Sequence, residues 1–210
     1  MRIKNIPFIT SIIFAIAVLS SCNYEVKPLP KYGFTDVVDG DTINHTIPDF
    51  TFINQDSQLV SKESLSDFIY VSDFFFIHCP TICPKVKKQM LKIYDKYEDE
   101  SLVKFVSHTI DPKRDDVPAL KEFATKLGVD HNKWYFLTGE KDEIYDIADD
   151  YFNIAIEDES APEGFDHSGK IILTDKEGHV RAFCEGTDPE TIPQFIKDVS
   201  TLIDEYQQTP

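Results

Sequence analysis

Positive charge is scarce in this sequence. Its 210 residues include 21 lysines and arginines against 37 aspartates and glutamates, which gives a formal net charge of −16 at pH 7. Because nucleic-acid binding depends on clustered lysine and arginine, this composition argues against a DNA or RNA partner. The same acidity would repel an anionic lipid surface, and it would attract cations or a basic protein. It also keeps an exported protein soluble without any specific partner.

The sequence has no internal repeat, and its long apolar run is confined to the N-terminus. Residues 6–19 are almost wholly apolar and follow the basic residues Arg2 and Lys4. The run is short for a membrane span, which needs about 20 residues, and its flanks predict a secretory signal. It ends in Leu19-Ser20-Ser21-Cys22, which resembles the lipobox of bacterial lipoproteins, whose cysteine becomes the lipidated first residue. An uncleaved helix with an incidental cysteine is the alternative.

These features divide the chain into three segments. We predict a lipoprotein signal peptide at residues 1–21, a lipidated Cys22 with a flexible tether to residue 33, and one domain at residues 34–210. The tether contains Pro28 and Pro30 and shows no apolar period. The predicted location is the cell envelope, where the N-terminal lipid anchors the domain to a membrane and the domain faces the periplasm or the exterior.

Cysteine is also scarce, with four in the whole chain. Cys22 belongs to the predicted anchor. Cys184 lies in a predicted strand, where a lone cysteine is usually a small buried apolar residue, with a reactive thiol as the alternative. Cys79 and Cys83 form a C-x-x-x-C-P motif directly after the aromatic run Phe74-Phe75-Phe76. Two thiols at i and i+4, where a strand ends and a helix begins, can share one soft metal ion or close into a disulfide.

The hydrophobic pattern predicts alternating strands and helices. Residues 68–77 form a near-continuous apolar run, as expected of a central strand buried on both faces. A helix is predicted at 81–97, where apolar residues recur every three or four positions. Turn signals at Asp39-Gly40 and at residues 54–57 predict two N-terminal hairpins. Further strands are predicted at 103–110, 134–137, 170–174 and 180–184, and helices at 117–127, 141–151 and 188–206. This order indicates an α/β fold with a mostly parallel core.

Four segments, in their order and spacing, resemble the SCO/SenC family. They are Ile47-Pro48-Asp49-Phe50, the loop at 79–84, the segment at 107–115, and Asp166-His167-Ser168. The resemblance extends from about residue 47 to the C-terminal helix. It implies a thioredoxin-like fold, in which helices flank a mixed central sheet, here with an N-terminal β-hairpin extension.

The resemblance also implies a function. The family consists of membrane-tethered copper-binding proteins implicated in building the dinuclear copper site (CuA) of cytochrome c oxidase. Cys79 and Cys83 resemble the two thiolate ligands and His167 the third ligand, for Cu(I), Cu(II) or both. The implied partner is the copper-site subunit of a respiratory oxidase. His78 and Cys184 lie outside the family's ligand pattern, and the lipid anchor replaces the transmembrane helix of some members.

The residues themselves suit copper. Cu(I) is a soft ion that accepts thiolate sulfur, and a helix N-terminus lowers the pKa of a thiol placed there. In a thioredoxin-like sheet the strand at 170–174 runs antiparallel to the one at 68–77, so its start lies beside the end of the latter. His167 precedes that start by three residues and can therefore reach the thiols.

The chain offers five other histidines as alternatives. His108 lies in a core strand and is expected to be a structural residue with satisfied hydrogen bonds. Three histidines in turns or loops are expected to be solvated: His45, His131 and His179. His78 is next to Cys79, and its side chain is expected to point away from that cysteine on an extended chain, with a ligand role left open.

Asp73 lies six residues before Cys79, which is the offset of a buried proton-accepting aspartate in thioredoxins. It could serve thiol-disulfide exchange or point to the sheet surface. Thioredoxins carry C-x-x-C, so the spacing between Cys79 and Cys83 is one residue longer. His167 occupies the region of their cis-proline.

Charged residues near the predicted site have two interpretations each. Asp111, Arg114 and Asp115 are predicted to form a structural salt-bridge and turn motif, with partner contact as the alternative. Asp166 either orients the ring of His167 as a hydrogen-bond acceptor or is a solvated loop acid.

The leading hypothesis is a copper metallochaperone rather than an enzyme. The alternative is an extracytoplasmic thiol-disulfide oxidoreductase that reduces partner cysteines through a mixed disulfide at the Cys79/Cys83 pair. A peroxidase is a weaker possibility, because an i+4 resolving cysteine is not expected there. Copper binding needs His167 and disulfide exchange does not, so that residue separates the two leading hypotheses.

Overall fold

The computed structural model describes residues 27–38, 41–153, 155–157 and 165–208. For residues 38, 155–157 and 165–167 the description covers the backbone only. The predicted signal peptide and Cys22 lie outside the described residues, and so does the predicted turn at Asp39-Gly40.

The described residues form strands and helices in alternation after an N-terminal run of strands. The strands are β1 (Thr35–Val38), β2 (Asp41–Asn44), β3 (Thr51–Asn54), β4 (Leu59–Ser61), β5 (Ile69–Phe75), β6 (Val103–Thr109), β7 (Trp134–Thr138), β8 (Ala155–Glu157), β9 (Phe165–His167), β10 (Lys170–Thr174) and β11 (Val180–Glu185). The helices are α1 (Lys62–Leu65), α2 (Cys83–Tyr97), α3 (Val117–Leu127), α4 (Lys141–Asp150) and α5 (Ile192–Gln208).

A seven-stranded mixed sheet lies at the centre, in the order β11-β10-β5-β6-β7-β3-β4. The strands β5, β6 and β7 are parallel to one another, and helices α2 and α3 connect them. The outer strands are antiparallel to their neighbours. The parallel part is therefore three strands wide, and the sheet is the mixed one that the family resemblance implies. The strands β1 and β2 form a separate antiparallel hairpin, as predicted.

Strand β5 is buried along its whole length, because helices cover both faces of the sheet. Its side chains alternate between the two faces. Asp73 and Phe75 face Lys87 of α2, whose ammonium lies 4.0 Å from the centre of the Phe75 ring. Tyr70 faces the opposite side, where its hydroxyl is 2.8 Å from that of Tyr151. The predicted central strand is thus confirmed, and it ends where the cysteine loop begins.

Local signals fix the helix ends. The Asp116 side chain accepts a hydrogen bond from the Ala119 N–H at 3.0 Å and so caps α3. Gly128 ends that helix with a φ of 74°, which favours glycine. Helix α5 begins at Ile192 rather than at the predicted Asp188. The reason is a turn in which the Asp188 side chain accepts the Glu190 N–H at 2.9 Å.

Two short strands were not predicted from the sequence. β8 and β9 have three residues each and pair antiparallel, with Ala155 opposite His167. A strand of three residues is too short to show a period-two pattern in the sequence. The backbone of His167 therefore lies in a two-stranded sheet rather than in a plain loop.

The described end of the predicted tether contacts the domain. The Leu29 N–H donates to the Glu205 carboxylate at 2.6 Å, and Arg181 donates to the carbonyls of Leu29 and Pro30. Tyr32 then bridges to Val180 of the edge strand β11. The chain consequently enters the domain along β11. Among the described residues, no helix combines the length and the apolar character that crossing a bilayer requires.

His108 lies in β6 inside an aromatic cage. Its side chain is 0% exposed, and its ring stacks on Phe74 with 4.9 Å between centroids, while Phe50, Phe52 and Tyr151 surround it. Neither ring nitrogen has a hydrogen-bond partner among the described residues. The core position was predicted correctly, but the expected satisfied hydrogen bonds are absent because every neighbour presents an aromatic face or edge.

Two other histidines also differ in part from expectation. His179 was expected to be solvated, but it is buried, and its Nδ1 lies 2.8 Å from the carbonyl oxygen of His45. His45 is half-buried, with its Nε2 3.0 Å from the Asp150 carbonyl oxygen. Both rings therefore hydrogen-bond to the backbone of the domain rather than to solvent alone.

The buried His108 makes stability depend on pH. Desolvation, with a smaller contribution from Lys87, lowers the pKa of His108 from 6.5 to about 3. The unfolded chain takes up this proton below pH 6.5 and the folded chain does not. The associated stability is therefore full above pH 6.5 and declines as the pH falls towards 3, by about 1.4 kcal/mol per pH unit.

We predict that His108→Phe removes this dependence. Between pH 7.5 and pH 5.0 the parent should lose about 2 kcal/mol more free energy of unfolding than the variant. Urea denaturation of both proteins at the two pH values measures the difference. An equal loss in parent and variant would contradict the assignment.

Candidate metal centre

The two cysteines of the C-x-x-x-C-P motif lie where β5 ends and α2 begins. Both side chains are 6% exposed. The Cys79 N–H donates to the Phe76 carbonyl at 3.3 Å, which turns the chain out of the strand. The Cys83 N–H then donates to the Cys79 sulfur at 3.5 Å. The loop thus folds back on itself and directs the backbone donor of one cysteine at the sulfur of the other.

This contact substitutes for a conventional helix cap. Helix α2 has Ile82 at its N-cap position and no side-chain oxygen to accept its first N–H groups. The Cys79 sulfur takes that position, and the Thr81 hydroxyl lies 3.6 Å from it. Pro84 fits the first turn because it has no N–H to satisfy.

The pKa values of the two thiols are shifted in opposite directions. Burial raises the pKa of Cys79, but hydrogen bonds from the backbone of Cys83 and Thr81 and from the Thr81 hydroxyl bring it below its ordinary value. Burial raises the pKa of Cys83 well above its ordinary value, and the nearby Cys79 raises it further. Cys79 is consequently the sulfur that more readily becomes a thiolate.

A buried carboxylate holds the start of the loop. Asp115 is 0% exposed and accepts hydrogen bonds from the Ile77 N–H at 3.0 Å and the Thr109 hydroxyl at 2.6 Å. Beside it, Arg114 and Asp111 form an ion pair. The predicted structural motif is present. Its contact with Ile77 was not foreseen, because no sequence pattern marks a hydrogen bond between segments 38 residues apart.

Asp73 is a buried residue and not a surface one. It is 1% exposed, and Lys87 donates to both of its carboxylate oxygens at 2.8 Å. The Ser107 hydroxyl also donates to Asp73, at 2.5 Å, and accepts from the indole N–H of Trp134 at 2.9 Å. Lys87 lies one turn after Cys83 and lines the same groove as both cysteines. Sequence reasoning did not single out Lys87, although its i+4 spacing from Cys83 was visible.

The chain that follows His167 packs against the cysteine loop. Strand β10 pairs antiparallel with β5, with Ile172 opposite Ser72. Two residues after His167, a Cβ placed on Gly169 would lie 3.3 Å from a methyl carbon of Val86 and 3.8 Å from one of Ile82. The same Cβ would lie 2.9 Å from a methyl carbon of Thr187, so glycine is favoured here by Thr187, and the segment is in van der Waals range of the start of α2.

The described side chains contain no cluster of three or more metal-binding groups. The side chains of His167 and Asp166 lie outside the description. His131, expected to be solvated, is half-buried with its Nδ1 2.8 Å from a carboxylate oxygen of Asp56, and His78 is exposed. Cys184 is buried, as predicted, and burial raises the pKa of its thiol to about 12.

The loop between β5 and α2 therefore offers two sulfur donors, and the pKa of one of them, Cys79, is lowered. Soft thiolate sulfur selects Cu(I) over hard cations, which prefer oxygen. The same pair of thiols can also undergo disulfide exchange. The geometry therefore permits both chemistries that the sequence suggested.

Comparison with known proteins identifies the family. The SCO1/SenC family model matches residues 39–204. The chain belongs to the SCO1/SenC family. Members of this family with solved structures are thioredoxin-like, which agrees with the mixed sheet and flanking helices described above.

Three solved structures are informative. A SCO1/SenC family lipoprotein from Bacillus anthracis is 28% identical, with a TM-score of 0.69, over 77% of this chain and 96% of that one. BsSco, a member of the Sco family of cytochrome c oxidase assembly proteins with a disulfide switch, is 32% identical, with a TM-score of 0.65, over 77% and 95%. Arabidopsis thaliana ScoI with copper bound is 26% identical, with a TM-score of 0.61, over 73% and 97%.

The ion pair beneath the site yields a stability prediction. Lys87→Met leaves the Asp73 carboxylate buried without its cation, so we expect a loss of about 3–5 kcal/mol in the free energy of unfolding. The double variant Asp73→Asn/Lys87→Met removes both charges and should recover most of that loss. Urea denaturation of the parent, single and double variants measures this coupling. A double variant that is as unstable as the sum of the single ones would refute it.

Proposed function

We propose that this protein is a copper chaperone that binds one copper ion through Cys79, Cys83 and His167. In this proposal it carries Cu(I), Cu(II) or both and helps to assemble the CuA site of cytochrome c oxidase. The copper-site subunit of the oxidase receives the ion. Copper is the cargo, so the protein is not expected to be an enzyme.

The observation that carries the proposal is the hydrogen bond from the Cys83 N–H to the Cys79 sulfur at 3.5 Å. It keeps both sulfurs in one turn of chain. The packing of Gly169 on Ile82 and Val86 supports His167 as the third ligand, because it brings a backbone two residues away from His167 to the same turn. Solved relatives support the cargo and its destination, since Arabidopsis ScoI contains copper and BsSco belongs to the oxidase assembly proteins.

Delivery requires that a target can reach the copper ligands. Both cysteines line an open groove of about 300 Å³ at the surface between α2 and α3. A site with two thiolates and one imidazole leaves copper with a low coordination number, which allows incoming ligands to replace the existing ones one at a time.

We also propose that the domain is anchored by lipid. The signal at residues 1–21 would be removed, Cys22 would carry the lipid, and the following residues would reach the domain along β11. The B. anthracis relative is a lipoprotein, which supports this arrangement. The domain would then face the periplasm or the exterior.

Copper titration of the chain from residue 23 onward tests the ligand assignment. Reduced, anaerobic protein competing with a Cu(I) chelator should bind about one copper per chain. Cys79→Ser and Cys83→Ser should abolish tight binding. His167→Ala should weaken it by more than the roughly 10–100-fold that loss of an outer-shell partner costs. Cys184→Ser and His131→Ala serve as matched controls and should bind as the parent does. Parent-like affinity in His167→Ala would refute the third ligand.

Thiol-disulfide exchange is the second candidate function. The lowered pKa of Cys79 favours it, because a thiolate is the attacking species in forming a mixed disulfide. If the protein is an oxidoreductase, we propose that Asp73 is a proton acceptor. Asp73 would act on the thiols through Lys87, which forms an ion pair with it and lines the groove.

One comparison separates the two candidates. If copper carriage is the function, His167→Ala loses tight copper binding while its Cys79–Cys83 pair still cycles with a small disulfide such as oxidised glutathione. A parent protein that binds no copper and exchanges disulfides rapidly would instead establish the oxidoreductase.

A further inference from the structure

The groove that the two cysteines line is apolar. Besides Cys79 and Cys83, its lining includes Phe76, Leu91, Phe123 and Leu127, and it measures about 300 Å³. Leu91, Phe123 and Leu127 are only partly buried, although each has an aromatic or aliphatic side chain. An open apolar recess of this size beside a functional group is typical of a site that receives another molecule.

The edge of the groove is basic, in contrast to the rest of the chain. Helix α2 has five lysines and one acidic residue, whereas the whole chain has a net charge of −16. Lys88 lines the groove itself. Four of these lysines are exposed, and within the described part of the chain none of the four forms an ion pair; they are Lys85, Lys88, Lys92 and Lys96.

The positions of these lysines along α2 place them on one side of the helix. Residues four apart on a helix lie on the same face, one turn above the other. Lys88 and Lys92 continue the row that Pro84 begins, and Leu91 adjoins it. The apolar lining of the groove is therefore bordered on the α2 side by a basic row that starts one turn after Cys83.

We propose that this groove and its basic row dock an acidic segment of a partner protein, with an apolar side chain of that segment filling the recess. This inference rests on the proposed function for its purpose, since a segment bound there lies against both cysteines. Charge complementarity selects the occupant. A basic segment would meet the unpaired lysines with like charge, and an uncharged one would leave them without partners.

The charge at the groove differs in sign from the net charge of the chain. An acidic protein is expected to attract a basic partner over long distances. At the groove itself, however, the exposed lysines of α2 present positive charge, and charges beyond about 8–10 Å are screened at physiological ionic strength. The partner is therefore acidic at the contact, whatever its charge elsewhere.

A peptide without cysteine or copper tests docking by itself. The probe is a short fluorescein-labelled peptide with two leucines flanked on both sides by glutamates, and fluorescence anisotropy reports its binding to the reduced protein. A peptide with lysines in place of the glutamates, and one with serines in place of the leucines, should bind at least about tenfold more weakly. Binding of the peptide with leucines and glutamates should weaken as salt is added.

Variants locate the binding to the groove. Lys88→Glu/Lys92→Glu reverses the basic row and should weaken binding by about tenfold or more. Leu91→Gln, which keeps helix propensity but reduces the apolar lining, should have a similar effect. Lys27→Glu/Lys31→Glu makes the same change in net charge at two exposed lysines of the N-terminal segment and should change affinity by less than about twofold.

Three outcomes would overturn the inference. One is equal affinity for the acidic and the basic peptide. Another is an equal loss of peptide affinity in Lys88→Glu/Lys92→Glu and in Lys27→Glu/Lys31→Glu. The third is sedimentation showing a dimer that Lys88→Glu/Lys92→Glu dissolves, since a second copy of this chain would then occupy the groove. All of these measurements omit copper. Failure here with normal copper titration therefore rejects the docking site alone, whereas failed copper binding with normal docking rejects the proposed cargo.

Discussion

The structure around the site depends on one contact, in which the Cys83 N–H donates to the Cys79 sulfur. This hydrogen bond closes the turn between the buried strand β5 and helix α2. It satisfies a helix N-terminal donor that has no side-chain oxygen to meet it, and it lowers the pKa of the sulfur that accepts it. One backbone group thereby shapes the loop and also contributes to the difference in pKa between its two thiols.

Buried charges hold this loop in place from two directions. Asp115 accepts the Ile77 N–H and ties the start of the loop to the segment after β6. The Asp73–Lys87 pair, with Ser107 and Trp134, joins the second turn of α2 to the middle of the sheet. Buried polar and charged groups are costly without partners, so both sets of contacts restrict the chain to the arrangement in which the partners meet. Both cysteines line the groove, which brings another molecule bound there next to their side chains.

Sequence patterns were sufficient for the elements that bury an apolar face. The apolar run that became β5, the three-and-four spacing that became α2, and the Gly128 stop of α3 all act through short-range physics that one segment displays by itself. The C-x-x-x-C-P motif and its place between strand and helix followed for the same reason. Those signals placed the cysteines correctly, and the antiparallel pairing of β10 with β5 was expected from the fold.

What sequence could not supply depends on pairs of residues distant along the chain. Lys87 reads as one more helix lysine until the fold brings it to Asp73. His108 reads as an ordinary core histidine until Phe50, Phe52, Phe74 and Tyr151 enclose it without a hydrogen-bond partner. The basic edge of the groove is hidden by a strongly acidic average composition. In each case the decisive quantity is a distance between segments, which residue order along one segment does not determine.

The most direct test of the central claim is X-ray absorption spectroscopy at the copper edge, on the reduced protein loaded with one equivalent of Cu(I). We predict that two sulfur atoms and one nitrogen bind the copper, with the outer scattering pattern of an imidazole ring that vanishes in His167→Ala. A shell of sulfur alone in the parent, or an imidazole signal unaffected by that substitution, would contradict it.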